Sequence, residues 1–284
     1  MKQVLAMALL ATILIAGSSA AEEPDPEALV REVVNSLKAA TTVRVVGETF
    51  SSTDTHEGLP TINLSSKFTL TLARPNRYRI EWEQPIVLLI LANRGVVWND
   101  GKGPRLYMSI MNEWESSESD EIALARATGV SNGVAHTIPC AFFSWEQMPS
   151  PLEMMRDFVY EGVEDVDGTP CHKISARSLR QREHTLWIER DRPLLKKLQF
   201  QLGSAADEEI TEGIIDEQLV EMGREVNADT RLWMRDKLER QQKISGYHYE
   251  QYTLFELDHE LGDDAFEFVP PDTATERVEE VTDD

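Results

Sequence analysis

Positive charge is in short supply. The 284 residues hold 28 Lys and Arg against 50 Asp and Glu, a formal net charge of −22. Binding a polyanion needs a basic stripe that releases counterions, so this composition excludes a nucleic-acid partner. An anionic membrane surface would repel the chain for the same reason. Cysteine is scarcer still, with only Cys140 and Cys171. After the first 21 residues no apolar run approaches the ~20 residues that span a bilayer. The six histidines show no metal-ligand spacing. There is no glycine-rich phosphate loop and no nucleophile elbow, and carboxylates are too abundant for any pair to stand out. These absences point away from an enzyme, and leave catalytic, metal and cofactor residues unassigned.

What is present suits a folded chain. Apolar residues make up 41% and charged residues 27%, which is the balance of a protein with a core. The first 21 residues read as a secretory signal peptide: Lys2, an apolar run from Val4 to Ala16, then Gly17-Ser18-Ser19-Ala20-Ala21 with small residues at the cleavage positions. That predicts a periplasmic mature chain from Glu22. An oxidising compartment permits one Cys140–Cys171 bridge, and two buried free thiols are the alternative. Cys140 lies four residues after His136, a spacing that a bridge would disable for catalysis.

Asp25-Pro26-Glu27 opens a helix: an N-cap, a proline suited to the first position and an acid that complements the dipole. Leu29, Val30, Val33, Val34 and Leu37 then form an apolar stripe through about Ala40. From Thr42 the period is two. Ile62, Leu64, Phe68, Leu70 and Leu72 share one face of a strand, with Ser66 the exception; Tyr78, Ile80 and Trp82 continue it on the next. Val87 to Ala92, with Leu89 and Leu91, is an apolar strand that Asn93-Arg94-Gly95 is expected to turn into Val96-Val97-Trp98. Asn99-Asp100-Gly101 turns again. After Met108 the strand signal fades. Glu121 to Thr128 reads as a short helix stopped by Gly129, 131–144 as irregular, and Ser150-Pro151-Leu152-Glu153 as a capping box opening a helix to about Asp157.

Two hairpins follow, Val159–Glu164 with Cys171–Arg177 and His184–Glu189 with Leu195–Gln201. Residues 203–245 interrupt as a helical hairpin with an acidic, solvated face. Tyr247 to Leu257 is a long strand. Phe266, Phe268 and Pro270-Pro271 close the fold, and 272–284 is expected to be a disordered acidic tail. The domain thus runs over 22–271.

Arg74-Pro75-Asn76 through Trp82 and Gln84-Pro85, Asp100-Gly101-Lys102, Ile138-Pro139-Cys140-Ala141-Phe142-Phe143, Thr185–Ile188 to Leu198–Phe200, and Phe266-Glu267-Phe268-Val269-Pro270-Pro271 occur in an order that resembles the outer-membrane lipoprotein carrier superfamily, the LolA and LolB fold. The departures are the insertion at 203–245, the stretched segment between Met108 and Phe158, and Tyr107 standing two residues late. The resemblance implies an α+β, mainly antiparallel, half-open β-barrel covered by an N-terminal helix and short lid helices. It implies an unfilled apolar cavity that holds acyl chains of a lipid or lipoprotein, with no enzymatic step. Leu64, Phe68, Leu70, Leu72, Tyr78, Ile80, Trp82, Leu89 and Leu91 are the candidate walls. Arg74, at the Arg-Pro turn, would bond lid backbone, and Phe142, Phe143 and Trp145 would plug the lid. A Cys140–Cys171 bridge would tie that lid to the sheet. Proteins of this resemblance also act as periplasmic sensors of envelope stress that bind a partner protein, and the insertion would then be the contact surface. A monomer is expected.

Overall fold

The computed structural model describes residues 23–54, 60–85, 93–145, 147–178, 182–202, 210–221, 224–242, 245–262 and 264–277. The signal segment, and Val87–Ala92 with Leu89 and Leu91, lie outside the described residues.

The first helix forms where its caps place it. Asp25 accepts from the Glu27 amide at 3.0 Å, and α1 (Pro26–Ala39) buries Val30, Val33, Val34 and Leu37. The strands are β1 (Thr42–Asp54), β2 (Ile62–Ala73), β3 (Arg77–Gln84), β4 (Asn93–Asn99), β5 (Arg105–Met108), β6 (Glu113–Ser116), β7 (Met155–Val166), β8 (Thr169–Ser178), β9 (Glu183–Glu189), β10 (Leu195–Leu202), β11 (Ser245–Leu257) and β12 (Thr275–Glu276). They make one sheet in the order β12-β6-β5-β4-β3-β2-β1-β11-β10-β9-β8-β7. All pairs are antiparallel except β12 on β6. The sheet is a half-open barrel: β7 is a free edge, and helices cover one face.

Alternation decides which residues meet those helices. Phe68 opposes Trp82, Leu70 opposes Ile80, and Leu72 opposes Tyr78. These side chains join one core with α1, with α2 (Asp120–Val130) through Leu124, and with α3 (Thr137–Phe143) through Ile138 and Phe142. On the outer face Glu48, Lys67, Glu83 and Arg94 alternate in sign along one register row, a favourable cross-strand arrangement. The closing Phe-x-Phe segment packs on that same outer side. Phe268 meets Trp98 at 5.0 Å and Tyr107 at 5.5 Å, and the Arg77 guanidinium lies over the Phe266 ring. Between β10 and β11 the insertion forms α4 (Glu212–Glu221) and α5 (Ala228–Gln242), a helical hairpin with its own small core of Ile215, Leu219 and Met234.

Several local expectations are corrected. Asn93-Arg94-Gly95 is the start of β4, not a turn, because Gly95 is needed opposite Trp82. The irregular stretch 131–144 contains α3, a helix of 7 residues and too short to declare a period. The capping box opens no helix. Glu153 pairs with Lys38 of α1 at 2.5 Å instead of folding back, and the chain enters β7 at Met155. The start of the expected loose tail adds β12 to the β6 edge, with the Arg277 amide donating to the Trp114 carbonyl. Residues 278–284 lie outside the described ones.

Two glycines make room for large rings on the concave face. Gly47, Phe68, Trp82 and Gly95 share one register row across β1 to β4. A Cβ on Gly95 would overlap the Trp82 indole, and one on Gly47 would stand 2.7 Å from Phe68 Cζ. The aromatics therefore lie across the bare glycine backbones. Gly95→Ala is expected to lower unfolding free energy by roughly 1–3 kcal/mol through overpacking, read from a urea midpoint. Gly213→Ala on α4, where a Cβ meets only Thr211 Oγ1 at 3.8 Å, should not fall. An unchanged Gly95→Ala midpoint would mean that Trp82 does not occupy that space.

Candidate functional site

The lid is the segment from α2 through α3, and the turn between β2 and β3 holds it. Arg74 donates through Nη2 to the carbonyls of Lys38 at 2.8 Å and Phe142 at 2.5 Å, and through Nε to that of Ala40 at 3.0 Å. Its guanidinium also lies 4.6 Å from the Phe142 ring centroid. These carbonyls close the C-termini of α1 and α3, where orphan acceptors and the negative dipole end favour a cation. Two residues on, Asn76 donates to Asp120 Oδ2 at 3.2 Å, and Asn99 donates to Asp120 Oδ1 at 2.8 Å. Asp120 is the first residue of α2. The Arg-Pro-Asn turn thus reaches one end of each lid helix. Burial, and then the Asp120 carboxylate, push the Tyr78 phenol well above its ordinary pKa.

Aromatic side chains fill the seam. Phe143 stacks on Trp145 at 4.5 Å and meets Tyr78 edge-on at 5.9 Å. Phe142 is fully buried and Trp145 is half-buried. Phe68, Leu70, Leu72, Tyr78, Ile80 and Trp82 are all at most 4% exposed. The unfilled hollow expected under the lid is therefore replaced by a packed core, because the α1 stripe and the α3 aromatics supply the missing volume. Leu64 departs from the other walls. It is 41% exposed near the start of β2, opposite Ser51 in register.

The expected cysteine bridge is not formed. Both thiols are free and buried, and the sheet lies between them. On β8, Ile174 and Ala176 face the core under the helices, so Cys171 points to the outer face, where it packs with Val166 and Trp187. Cys140 stands on α3, on the covered side. Burial raises the Cys140 thiol to about 12 and the Cys171 thiol to about 11, so neither is a ready thiolate.

The sequence reading missed a polar end to the concave face. In register, Thr49 opposes Glu250 and Ser51 opposes His248, all on the side that carries Val45 and Tyr252. The lid reaches down to them. Ser51 Oγ and Asn132 Oδ1 are 2.7 Å apart, Asn132 donates to Thr49 Oγ1 at 3.1 Å, and Ser51 Oγ also meets His248 Nδ1 at 2.7 Å. The Thr137 hydroxyl, on the first residue of α3, donates to Glu250 Oε1 at 2.7 Å, and Tyr252 donates to Oε2 at 2.5 Å. Desolvation raises the Glu250 carboxyl to about 7, against the lowering pull of those two hydrogen bonds. Desolvation lowers the His248 imidazole to about 4. Ser66, the break in the β2 alternation, was the available signal: it is the neighbour of Thr49 in this row.

Residues 27–202 match the family model described as predicted periplasmic protein, DUF2092. No curated protein matches the chain. Among solved structures, Mycobacterium tuberculosis lipoprotein LppX is 14% identical with a TM-score of 0.43, over 85% of this chain and 100% of that one. LprF from Mycobacterium bovis is 10% identical with a TM-score of 0.44, over 89% and 98%. MucA/MucB of Pseudomonas aeruginosa gives 11%, a TM-score of 0.39, and coverage of 87% and 62%.

Glu250 makes the closed form sensitive to pH. Below the ordinary carboxyl pKa the group is protonated both in the closed form and in the unfolded chain, and favours neither. Between about 4.5 and 7 the unfolded chain ionises while the buried group resists, so stability is lost as pH rises, by up to roughly 3 kcal/mol. Glu250→Gln should therefore gain on the wild type as pH rises from 4.5 to 7.5, measured by urea unfolding. His248, whose Nε2 lies 3.9 Å from Glu250 Oε1, acts in the opposite direction between 6.5 and 4. A pH-independent difference would contradict the burial.

Proposed function

The chain belongs to the DUF2092 family of predicted periplasmic proteins, and on that premise we propose that it is a non-enzymatic periplasmic binding protein that takes acyl chains of a lipid or lipidated protein beneath its lid. The observation that carries the reading is the Arg74 clamp. Three side-chain-to-backbone hydrogen bonds from one residue join the lid to the sheet and to α1. A seam of that kind opens without unpairing a strand.

Magnitudes favour an exchange over entry into a standing hole. A chain of about fifteen methylenes gains ~12 kcal/mol on leaving water. Lifting Phe142 and Phe143 off the walls costs ~1.5–3 kcal/mol each, breaking the one charged hydrogen bond that Arg74 makes to the lid adds ~1.5–3 kcal/mol, and the lid hydrogen bonds of Asn132 and Thr137 add ~0.5–1.5 kcal/mol each. The two sides lie within a few kcal/mol of each other, which is what a binder that must also release requires. In this reading Phe68, Leu70, Leu72, Tyr78, Ile80 and Trp82 are the walls the acyl chain touches, and Phe142, Phe143 and Trp145 are the plug it displaces.

A second reading has its own support. The α4–α5 hairpin leaves Val220 66% and Leu232 73% exposed outside its core, a surface suited to a partner protein of the envelope. Native mass spectrometry of the chain from its own periplasm separates the two: acyl-lipid mass increments are expected, whereas a stoichiometric polypeptide lost on Leu232→Asp would replace the first reading with the second. In parallel, Arg74→Leu should raise amide exchange in 137–143 at least tenfold. Unchanged protection there would remove the clamp from the account.

A further inference from the structure

The polar end of the concave face is built from neutral hydrogen-bonding groups around one titrating carboxyl, Glu250, and some of the neutral groups lack partners. His184 on β9, Phe200 on β10 and His248 on β11 stand side by side in one register row. Their rings meet at tilts of 36° and 34°, with centroids 5.4 Å and 4.8 Å apart. Both histidines are more than nine-tenths buried. Neither nitrogen of His184, nor Nε2 of His248, nor the hydroxyl of fully buried Ser66, has a hydrogen-bond partner among the described residues. Buried polar atoms are normally satisfied, so these orphans, on two adjoining rows that run from β2 to β9, ask for polar partners.

The lid indicates the chemistry that this end accepts. The Asn132 carboxamide engages Ser51 through its oxygen and Thr49 through its nitrogen, so the spot already holds one uncharged acceptor–donor pair. Burial keeps both imidazoles neutral near pH 7. Both oxygens of Glu250 are already engaged. Arg182, the cation acting on His184, has an interaction of its own. A charged head of either sign would thus lose its hydration without a free counter-charge to meet it.

We infer that this end is a head-group site for an uncharged hydroxyl, ester or amide head of a long-chain amphiphile, which takes the place of the Asn132 carboxamide when the lid lifts. The inference rests on the acyl-binding reading and adds the class of head group to it. Leu198 and Leu186 lie in the neighbouring row on the same face, so a tail attached to such a head continues directly onto the apolar wall.

The test compares three single-chain amphiphiles at pH 7 by isothermal titration: 1-mono-oleoylglycerol, oleate and oleylamine. Mono-oleoylglycerol should bind at least tenfold more tightly than either charged analogue. Ser51→Ala should shrink that preference below threefold. Asn132→Gly, which suits the positive φ of 60° at that position, removes the competing carboxamide and should tighten mono-oleoylglycerol several-fold. Equal binding of the three amphiphiles by the wild type overturns the head-group inference and leaves acyl binding standing. A preference unaltered in both variants also overturns it. Binding of none of the three overturns the acyl reading, and this inference with it.

Discussion

One guanidinium at the turn between β2 and β3 ties the covering helices to the sheet. Arg74 caps the C-termini of α1 and α3 together, so the position of the lid follows from the geometry of a two-strand turn. Asn76 in the same turn reaches the first residue of α2. Helix ends are where backbone acceptors and donors are left over, and the Arg-Pro-Asn turn uses those leftovers to hold a cover that no strand pairing secures. The far end of the lid is fixed differently, by Asn132 and Thr137 on Ser51, Thr49 and Glu250. One end depends on a permanent cation, the other on groups that are neutral near pH 7 or become so just below it.

The closed core and an acyl-binding role are compatible only if the lid aromatics and the ligand compete for the same wall. Phe142 and Phe143 then act as internal occupants, keeping Leu70, Leu72 and Ile80 dry until a chain of comparable apolar area displaces them. A wall left open to water would be an exposed apolar patch with its own aggregation hazard. The row of Gly47, Phe68, Trp82 and Gly95 fits the same logic: bare backbone at both ends leaves space for the two large rings.

Much of the frame was legible in the sequence. The Asp25-Pro26 start, the period-two alternation of β2 and β3 and the hairpin of Val159–Glu164 with Cys171–Arg177 are local signals, and each element formed where its chemistry placed it. The Arg-Pro-Asn motif marked the turn whose Arg74 bonds the ends of α1 and α3. What was not legible depended on distant partners. The α3 helix is too short for periodicity. Gly95 reads as a turn residue until Trp82 is found across from it. The capping box at Ser150 lost its Glu153 to Lys38, which lies 115 positions away in the chain. Whether a wall is bare or covered depends on the volume that other elements bring to it, and alternation along a strand holds no record of that. The cysteines looked pairable by count alone, yet adjacent register places Cys171 on the face turned away from α3.

The most direct measurement is covalent mapping with a long-chain fatty alcohol carrying a mid-chain diazirine. After irradiation with the intact protein and peptide mass spectrometry, the account predicts labels in 62–73, in 77–84 and on the α3 aromatics, competed by an unlabelled amphiphile. Labels confined to the α4–α5 hairpin or to the outer face around Trp98 and Phe268 would contradict it.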